Sequence, residues 1–233
     1  MEITRLDFIE TAIAYCQKER NLDIPKVLDL GCATGTTAIQ LMRRGMDVVG
    51  IDNNAQMIQS AARRNPEPKT HARFFLMDVS DAHKYLPKNS FDIVICLGNT
   101  LPHLNSLESI ENLITSVHGL LKTGGVFIFQ LINYDMILSE HLESLPTIET
   151  TRSSFVRRYT INSEENITFE ASVLASKGQT VFTESVSLYP LKSKDLLKAL
   201  SASGFTNEML YSDFDKSPLE ESSLAIVGIA VKE

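Results

Sequence analysis

The chain has 233 residues, 43% of them hydrophobic and 22% charged, with a formal charge of −7. This length suits one domain, or one domain with an elaboration, and is enough to bury a full core. The acidic balance disfavours a nucleic-acid backbone as the main partner, because that binding rests on clustered Lys and Arg, and here basic residues adjoin in pairs, Arg43-Arg44, Arg63-Arg64 and Arg157-Arg158, and not in long tracts.

In chain order, the near-helical spacing of Ile3, Leu6, Ile9, Ile13, Tyr15 and Cys16 predicts a helix over residues 4–20, ended by Ile24-Pro25. Strands are predicted at 26–30, 47–51, 72–76, 91–96 and 125–131. Helices fit between them at 35–45, 54–64 and 106–121, with a shorter turn near 81–86. Gly45 and Gly124-Gly125 punctuate helix ends and turns into strands. Alternation of strand and helix implies a doubly wound, parallel sheet with helices on both faces. Beyond residue 131 the segments 151–161, 166–176 and 179–188 are rich in β-branched and aromatic residues, with turn signals at Asn162-Ser163-Glu164-Glu165 and Lys177-Gly178. They read as a small antiparallel sheet inserted after the fifth strand. A helix over 194–203 and strands at 205–211 and 224–231 follow, the strands being an expected antiparallel edge of the main sheet. The expected organisation is an α/β core over 1–131, an inserted sheet and lid over 132–190, and a C-terminal part, 191–233, that completes a seven-stranded, mostly parallel sheet.

The loop Val27-Leu-Asp-Leu-Gly-Cys-Ala-Thr-Gly-Thr36 is the most informative stretch. Gly31 and Gly35 bound it, and such glycines permit positive φ or close approach of backbone to a ligand. Asp29 sits just before the turn, where it serves either as a partner for a cationic group or as a loop cap. The glycine spacing fails the Gly-x-Gly-x-x-Gly of dinucleotide sites, and no Lys follows Gly35 as a P-loop requires. An acid without a basic residue suits a cationic, phosphate-free ligand. Asp52 ends the next strand about 20 residues on, where such folds place a ribose-binding acid; it is also placed to cap the helix over 54–64. Ligands of open α/β sheets lie at the carboxyl ends of the strands, and Asp29, Asp52, Met77-Asp78 and Cys96–Asn99 all fall there.

Residues 27–41 resemble motif I of the class I S-adenosylmethionine-dependent methyltransferases. Val49-Gly-Ile-Asp52 resembles their ribose motif, Phe75-Leu-Met-Asp78-Val79 their adenine segment, Phe91-Asp-Ile-Val-Ile-Cys96 their fourth strand, and Leu120-Leu-Lys-Thr-Gly-Gly-Val126 their turn into the fifth. The five motifs follow the family's order and spacing over about residues 4–130. The resemblance implies a Rossmann-like fold, S-adenosylmethionine as cofactor, and a small-molecule methyl acceptor. It places Asp29 and Gly31 at the methionine end, with Cys32, Ala33 and Gly35 in the same loop, and Asp52 on the ribose hydroxyls. Asn53 and Met57 lie along the adenosine, and Asp78 at the adenine amine with Met77 and Val79 beside the ring. Met77 reads equally as plain core. Leu97, Gly98 and Asn99 fall at the methyl-donor end, and His103 is a base, a substrate ligand or a structural residue. The string Leu97-Gly-Asn-Thr-Leu-Pro-His103-Leu and the string Asn133-Tyr-Asp-Met-Ile-Leu138 resemble the glycine and sarcosine N-methyltransferase branch. That carries over Asn133 as substrate contact and Tyr134 as wall, both of them catalytic candidates. The branch has a basic residue before the asparagine, where this chain has Ile132. Arg157 or Arg158 could supply that cation from the inserted sheet, and strand alternation lets only one of them point inward; the alternative is that both are solvated.

The first two arginine pairs read as solvated helix faces. No apolar run is long enough to cross a bilayer, and the N-terminus lacks a signal peptide's apolar centre. Cys16, Cys32 and Cys96 have no paired spacing, which fits a reducing cytoplasm. The histidines His71, His83, His103, His118 and His141 are scattered, so no metal site is expected. The expected activity is methyl transfer to a small polar metabolite at an amine. O- or C-methylation, a non-catalytic cofactor-binding protein and, less readily, a nicotinamide dehydrogenase are the rivals. The inserted sheet also offers an edge at which a homodimer could pair.

Overall fold

The computed structural model describes residues 2–20, 24–65, 72–151, 153–175 and 178–233. His71, Ser176, Lys177 and the side chains of Ile3 and Cys16 lie outside the described residues. The chain opens with α1 (Glu2–Arg20), followed by β1 (Lys26–Leu30), α2 (Thr36–Arg43), β2 (Asp47–Asp52), α3 (Ala55–Arg64) and β3 (Ala72–Leu76). Then come α4 (Ala82–Tyr85), β4 (Phe91–Cys96), α5 (Leu107–Leu120), β5 (Leu121–Ile132) and α6 (Tyr134–Ser139). Strands β6 (Ser144–Glu149), β7 (Ser153–Ser163), β8 (Asn166–Ala175) and β9 (Thr180–Leu188) precede α7 (Ser193–Ala202), β10 (Phe205–Tyr211) and β11 (Ala225–Lys232).

Among the described residues, seven strands form one sheet in the order β10-β11-β5-β4-β1-β2-β3. β1 to β5 pair in parallel, and β11 runs antiparallel to both its neighbours. Alternate residues of each central strand face opposite ways, and here both faces are buried. Val27, Ile93, Ile95, Val126 and Ile128 pack with Leu6, Phe8, Ile9 and Ile13 of α1. Leu28, Val94, Cys96, Phe127 and Phe129 pack with α5, α7 and part of the inserted sheet. Such double burial is why these strands read as continuous apolar runs. The strand order reverses between β1 and β4, and the crevice at that switch point is where ligands of this architecture bind.

The inserted sheet is four strands in the order β6-β7-β8-β9, all antiparallel. Its inner face carries Tyr159, Ile167 and Leu188 into the main core, with Ile161, Phe169 and Val186 beside them. The register places Phe155, Arg157, Ala171, Val173, Phe182 and Glu184 on that same face. The outer face is polar: Arg158 pairs with Glu170 at 3.5 Å, Ser172 with Thr183 and Asn166 with Ser187. The sheet is therefore a roof docked on the core, not a free flap.

Three features depart from the expectations. β5 begins at Leu121, so Gly124-Gly125 lie inside it and not in a turn before it. The β4–β5 register slips there, from Phe91↔Leu121 to Ile93↔Val126. Gly125 allows this, because a Cβ would stand 2.7 Å from the Lys122 carbonyl. β6 adds a roof strand, and α6 follows β5 directly. α6 forms because Asn133 is its N-cap: Oδ1 accepts from the N–H groups of Asp135 (3.1 Å) and Met136 (3.4 Å). The Asn133 amide also donates to the Ser223 carbonyl at 2.9 Å, tying α6 to the segment entering β11. Six residues are too few for periodicity to reveal such a helix.

Replacing Asn133 with Ala removes the cap and leaves a half-buried carbonyl unpaired. The expected cost is about 2 kcal/mol, read as a lower urea midpoint at unchanged slope; an unchanged midpoint would refute the capping role.

Candidate active site

At the switch point a cleft of about 420 Å3 opens between the ends of β1, β2, β3 and β4. Gly31, Ala33, Asp52, Asn53, Met57, Asp78, Val79, Leu97, Gly98 and His103 line it, together with Asn54, Thr100 and Leu104. The structure thus brings together ten of the residues singled out from the sequence. Among these lining residues there is no Lys or Arg.

Asp52 organises the cleft floor. Its Oδ2 accepts the Ala33 N–H at 2.9 Å, and its Oδ1 accepts the Asn54 N–H at 2.9 Å. Each oxygen keeps a further lone pair for a ligand. The N-cap of α3 is Asn54, whose side chain accepts from Gln56 and Met57; the expected capping by Asp52 is corrected, because Asp52 ends the strand two residues too early. Gly31 has φ +72, and its N–H and that of Cys32 both donate to the Ile51 carbonyl. A Cβ on Gly31 would stand 2.5 Å from Thr100 Oγ1. Thr100 in turn donates to the Leu97 carbonyl at 2.9 Å, so the two loops close on each other only because residue 31 has no side chain. Gly98, at φ +74, has its N–H held by Gln130 Oε1 at 2.8 Å, and a Cβ there would meet nothing within 4 Å.

Asp78 is half-buried and holds the 3₁₀ turn Val79–Asp81 through Ser80, which lowers its pKa; Asn53 adds a weaker bond at 3.4 Å. Asp29 is buried under the loop at 4% exposure. Burial pushes its carboxyl up to about 7; Arg5 of α1 pulls it back and Asp52 pushes it further up. Cys32 and Cys96 are buried free thiols, both raised by burial and by the Asp29 charge, Cys96 to about 12. Neither is a thiolate nucleophile at neutral pH. His103 closes the 3₁₀ turn Leu101–Leu104 at the cleft rim; burial lowers its pKa and Glu184 of β9 raises it in part. It is therefore a neutral base at pH 7.

The remaining candidates stand outside the cleft lining. Gly35 (φ +73) packs under the Phe74 ring, where a Cβ would stand 2.7 Å away, so it serves packing. Met77 packs on the core. Asn99 donates from Nδ2 to Tyr134 Oη (2.9 Å) and accepts the Ile132 N–H (3.0 Å), so its amide joins β4, β5 and α6. Tyr134 is fully buried, with its phenol raised by burial and by Tyr159. Asn133 is spent on capping. Of the arginine pair, Arg157 turns inward and donates to the Pro146 carbonyl at 2.8 Å, while Arg158 is on the outer face.

Sequence reasoning missed four residues here. Arg64, read as part of a solvated helix face, donates from Nη1 to the Thr34 carbonyl (3.0 Å), Thr34 Oγ1 (2.7 Å) and Thr36 Oγ1 (2.8 Å). It clips the glycine loop to α3 across 30 residues, a contact that local charge pattern does not reveal. Arg44, of the other pair, bridges Glu10 of α1 at 2.9 Å. Gln130 and Thr100 also escaped notice, because their roles depend on β5 lying beside β4.

Residues 27–125 match the family described as methyltransferase domain. The chain is 25% identical over 210 residues to the glycine/sarcosine N-methyltransferase of Aphanothece halophytica, covering 89% of this chain and 76% of that protein. It is 29% identical over 126 residues to the glycine N-methyltransferase of Oryctolagus cuniculus, covering 49% of this chain and 43% of that protein, so less than half of that relative is matched. In fold it is similar to an S-adenosylmethionine-dependent methyltransferase from Clostridium acetobutylicum ATCC 824, with a TM-score of 0.80, 19% identity and coverage of 98% and 91% of the two chains. With acidic groups at the tips of neighbouring parallel strands and these likenesses, the chain is a class I S-adenosylmethionine-dependent methyltransferase.

Proposed function

We propose that the chain methylates an amine nitrogen of a small polar molecule, with His103 as the base. The observation that carries this is the position of a neutral imidazole on the rim of the cleft that Asp52 and Gly98 line. An amine reaches an enzyme at neutral pH mostly as its ammonium ion and must lose a proton before it can attack. A hydroxyl acceptor would call for a stronger base than an imidazole whose pKa lies below its ordinary value. The similarity to a glycine/sarcosine N-methyltransferase points the same way.

The cleft fits the cofactor on its own chemistry. Its lining acids are Asp52 and Asp78, with Asp29 buried below, and Gly98 leaves backbone open to a ligand. Asp29 and Gly31 would take the cationic methionine end, Asp52 the ribose hydroxyls, and Asp78 with Asn53 the adenine amine; Met57, Val79 and Leu97 would supply apolar contact. When bound, S-adenosylmethionine supplies an electrophilic methyl group and takes the bonding electron pair back onto sulfur. The chain's part is to hold the two reactants in line and exclude water. His103 accepts the ammonium proton before attack and releases it to solvent afterwards. Asn99, held by Tyr134 and Ile132, fixes the loop that carries Gly98. Arg157 would receive an anionic group of the acceptor from the roof, since Arg binds carboxylates bidentately.

Methyl-labelled cofactor offered with matched amine, hydroxyl and carbon acceptors tests the reading. Label is expected on an amine; label confined to a hydroxyl or carbon acceptor would overturn it. Asp29 gives a second test. A carboxyl whose pKa rises on folding favours the folded state at low pH, and that contribution is lost as pH rises through about 7. A cationic ligand prefers the ionised form. Cofactor affinity is therefore expected to rise about tenfold from pH 6 to pH 8, with proton release on binding below pH 7. Calorimetry in buffers of different ionisation enthalpy reads both, and Asp29→Asn should flatten the dependence. A flat profile in the native chain would remove Asp29 from the cationic end.

A further inference from the structure

The inner face of the roof is apolar except along one cross-strand row. That row runs Leu145, Arg157, Ala171, Glu184 over β6 to β9. A cation and an anion thus stand two strands apart, roughly 10 Å at ordinary strand spacing, with only an alanine methyl between them. Glu184 stands on the exposed stretch of β9, while Arg157 is half-buried. The two do not neutralise each other. Arg157 leans toward β6, bonded to the Pro146 carbonyl and 6.0 Å from the Phe155 ring centroid, and its buried Nε has no partner. Glu184 makes no hydrogen bond or ion pair among the described residues, and its charge acts on His103 at the cleft rim. The N–H of Tyr189, next after β9, donates to the Pro102 carbonyl at 2.9 Å, which fixes β9 over the turn that carries His103.

We propose that Glu184 is a specificity-determining residue: it receives the ammonium group of the acceptor beside His103, while Arg157 takes an anionic group of the same molecule across Ala171. This rests on the amine reading above and adds to it the group that selects a charged amine over an alcohol. A carboxylate on the roof attracts an ammonium that arrives at the cleft rim, and an alcohol gains no such interaction. The same carboxylate raises the His103 pKa against burial, keeping the base strong enough to take the proton. Other charged groups around that turn are Glu108 and Glu111 on α5 and Asp52 and Asp78 across the cleft; among the described residues only Glu184 acts on His103.

Two measurements on the full chain decide it. The first needs no turnover: NMR titration of His103 in the native chain and in Glu184→Gln. The variant is expected to titrate lower, and an unchanged midpoint would overturn the coupling. The second is steady-state transfer to glycine, sarcosine and ethanolamine in the native chain, Glu184→Gln and Arg157→Met, with circular dichroism to confirm folding. Glu184→Gln is expected to raise KM about tenfold or more for every amine accepted, with a smaller change in kcat and an acid limb of kcat/KM moved to lower pH. Arg157→Met is expected to raise KM for the two carboxylated amines and spare ethanolamine. A native chain that methylates an amine while Glu184→Gln keeps its KM and pH profile overturns the role of Glu184 alone. A native chain that transfers to no amine, while a hydroxyl or carbon acceptor takes the methyl, overturns the amine reading and this inference with it.

Discussion

One carboxylate holds the floor of the cleft together. Asp52 sits at the end of β2 and accepts the N–H of Ala33 with one oxygen and that of Asn54 with the other. The first bond fixes the glycine loop after β1, where Ala33 itself adopts a left-handed φ of 47°. The second fixes the entry to α3. An acid in this place stabilises a backbone conformation that non-glycine residues otherwise avoid. Charge-assisted bonds of this kind are stronger than neutral ones. The loop is braced again from its far side by Arg64 and against the β4 loop by Thr100. Preorganisation of the floor thus comes from a short set of polar contacts, each reaching across a different pair of elements.

The cleft is also electrostatically unbalanced. Burial makes Asp29 harder to ionise, the Asp52 charge adds to this, and Arg5 on α1 is the cation that offsets it. A buried carboxyl with a pKa near 7 is a group waiting for a positive partner. That imbalance also reaches the two cysteines, whose thiols are held protonated by burial first and by the Asp29 charge second. The floor is therefore built to attract a cation and to withhold any nucleophile of its own. This is the right division of labour for transfer of an alkyl group from a good leaving group, where positioning does most of the work.

The elements bearing the nucleotide motifs were legible because their signals are local: an apolar run, a terminal acid, a glycine turn and a helix within some fifteen residues. Most of the ten candidates that line the cleft lie at or just beyond such strand ends; Met57 is in the first turn of α3 and His103 in the 3₁₀ turn after β4. What escaped reading depends on contacts far apart in sequence. Asn133 caps α6 because Ser223, 90 residues later, anchors its amide. Arg64 reaches back 30 residues to Thr34. Glu184 shares a row with Arg157 only through the pairing of three strands. The alternation argument on Arg157 and Arg158 succeeded because it used strand geometry alone; it did not say which residue faces in, since that depends on which side of the roof meets the core.

Ile132 shows why the roof, not the floor, is free to set the acceptor. The N-methyltransferase branch this chain resembles carries a basic residue at that position. Here Ile132 is the last residue of β5, paired with Ala225, and its N–H is fixed to Asn99. A strand held on both sides by its ladder, with its neighbour Asn133 committed to a cap, has little room to present a new side chain to a new ligand without moving the cofactor loop. The roof strands meet the core at Leu145, Tyr159, Ile167 and Leu188, with Ile161, Phe169 and Val186 beside them. Beyond that anchor, successive rows of the inner face can change identity while the polar outer face and the register stay the same. On the proposed reading, a cation at Arg157 in place of one on the floor, with Glu184 beyond Ala171, would change what the site selects and leave the parallel sheet that orders the cleft untouched.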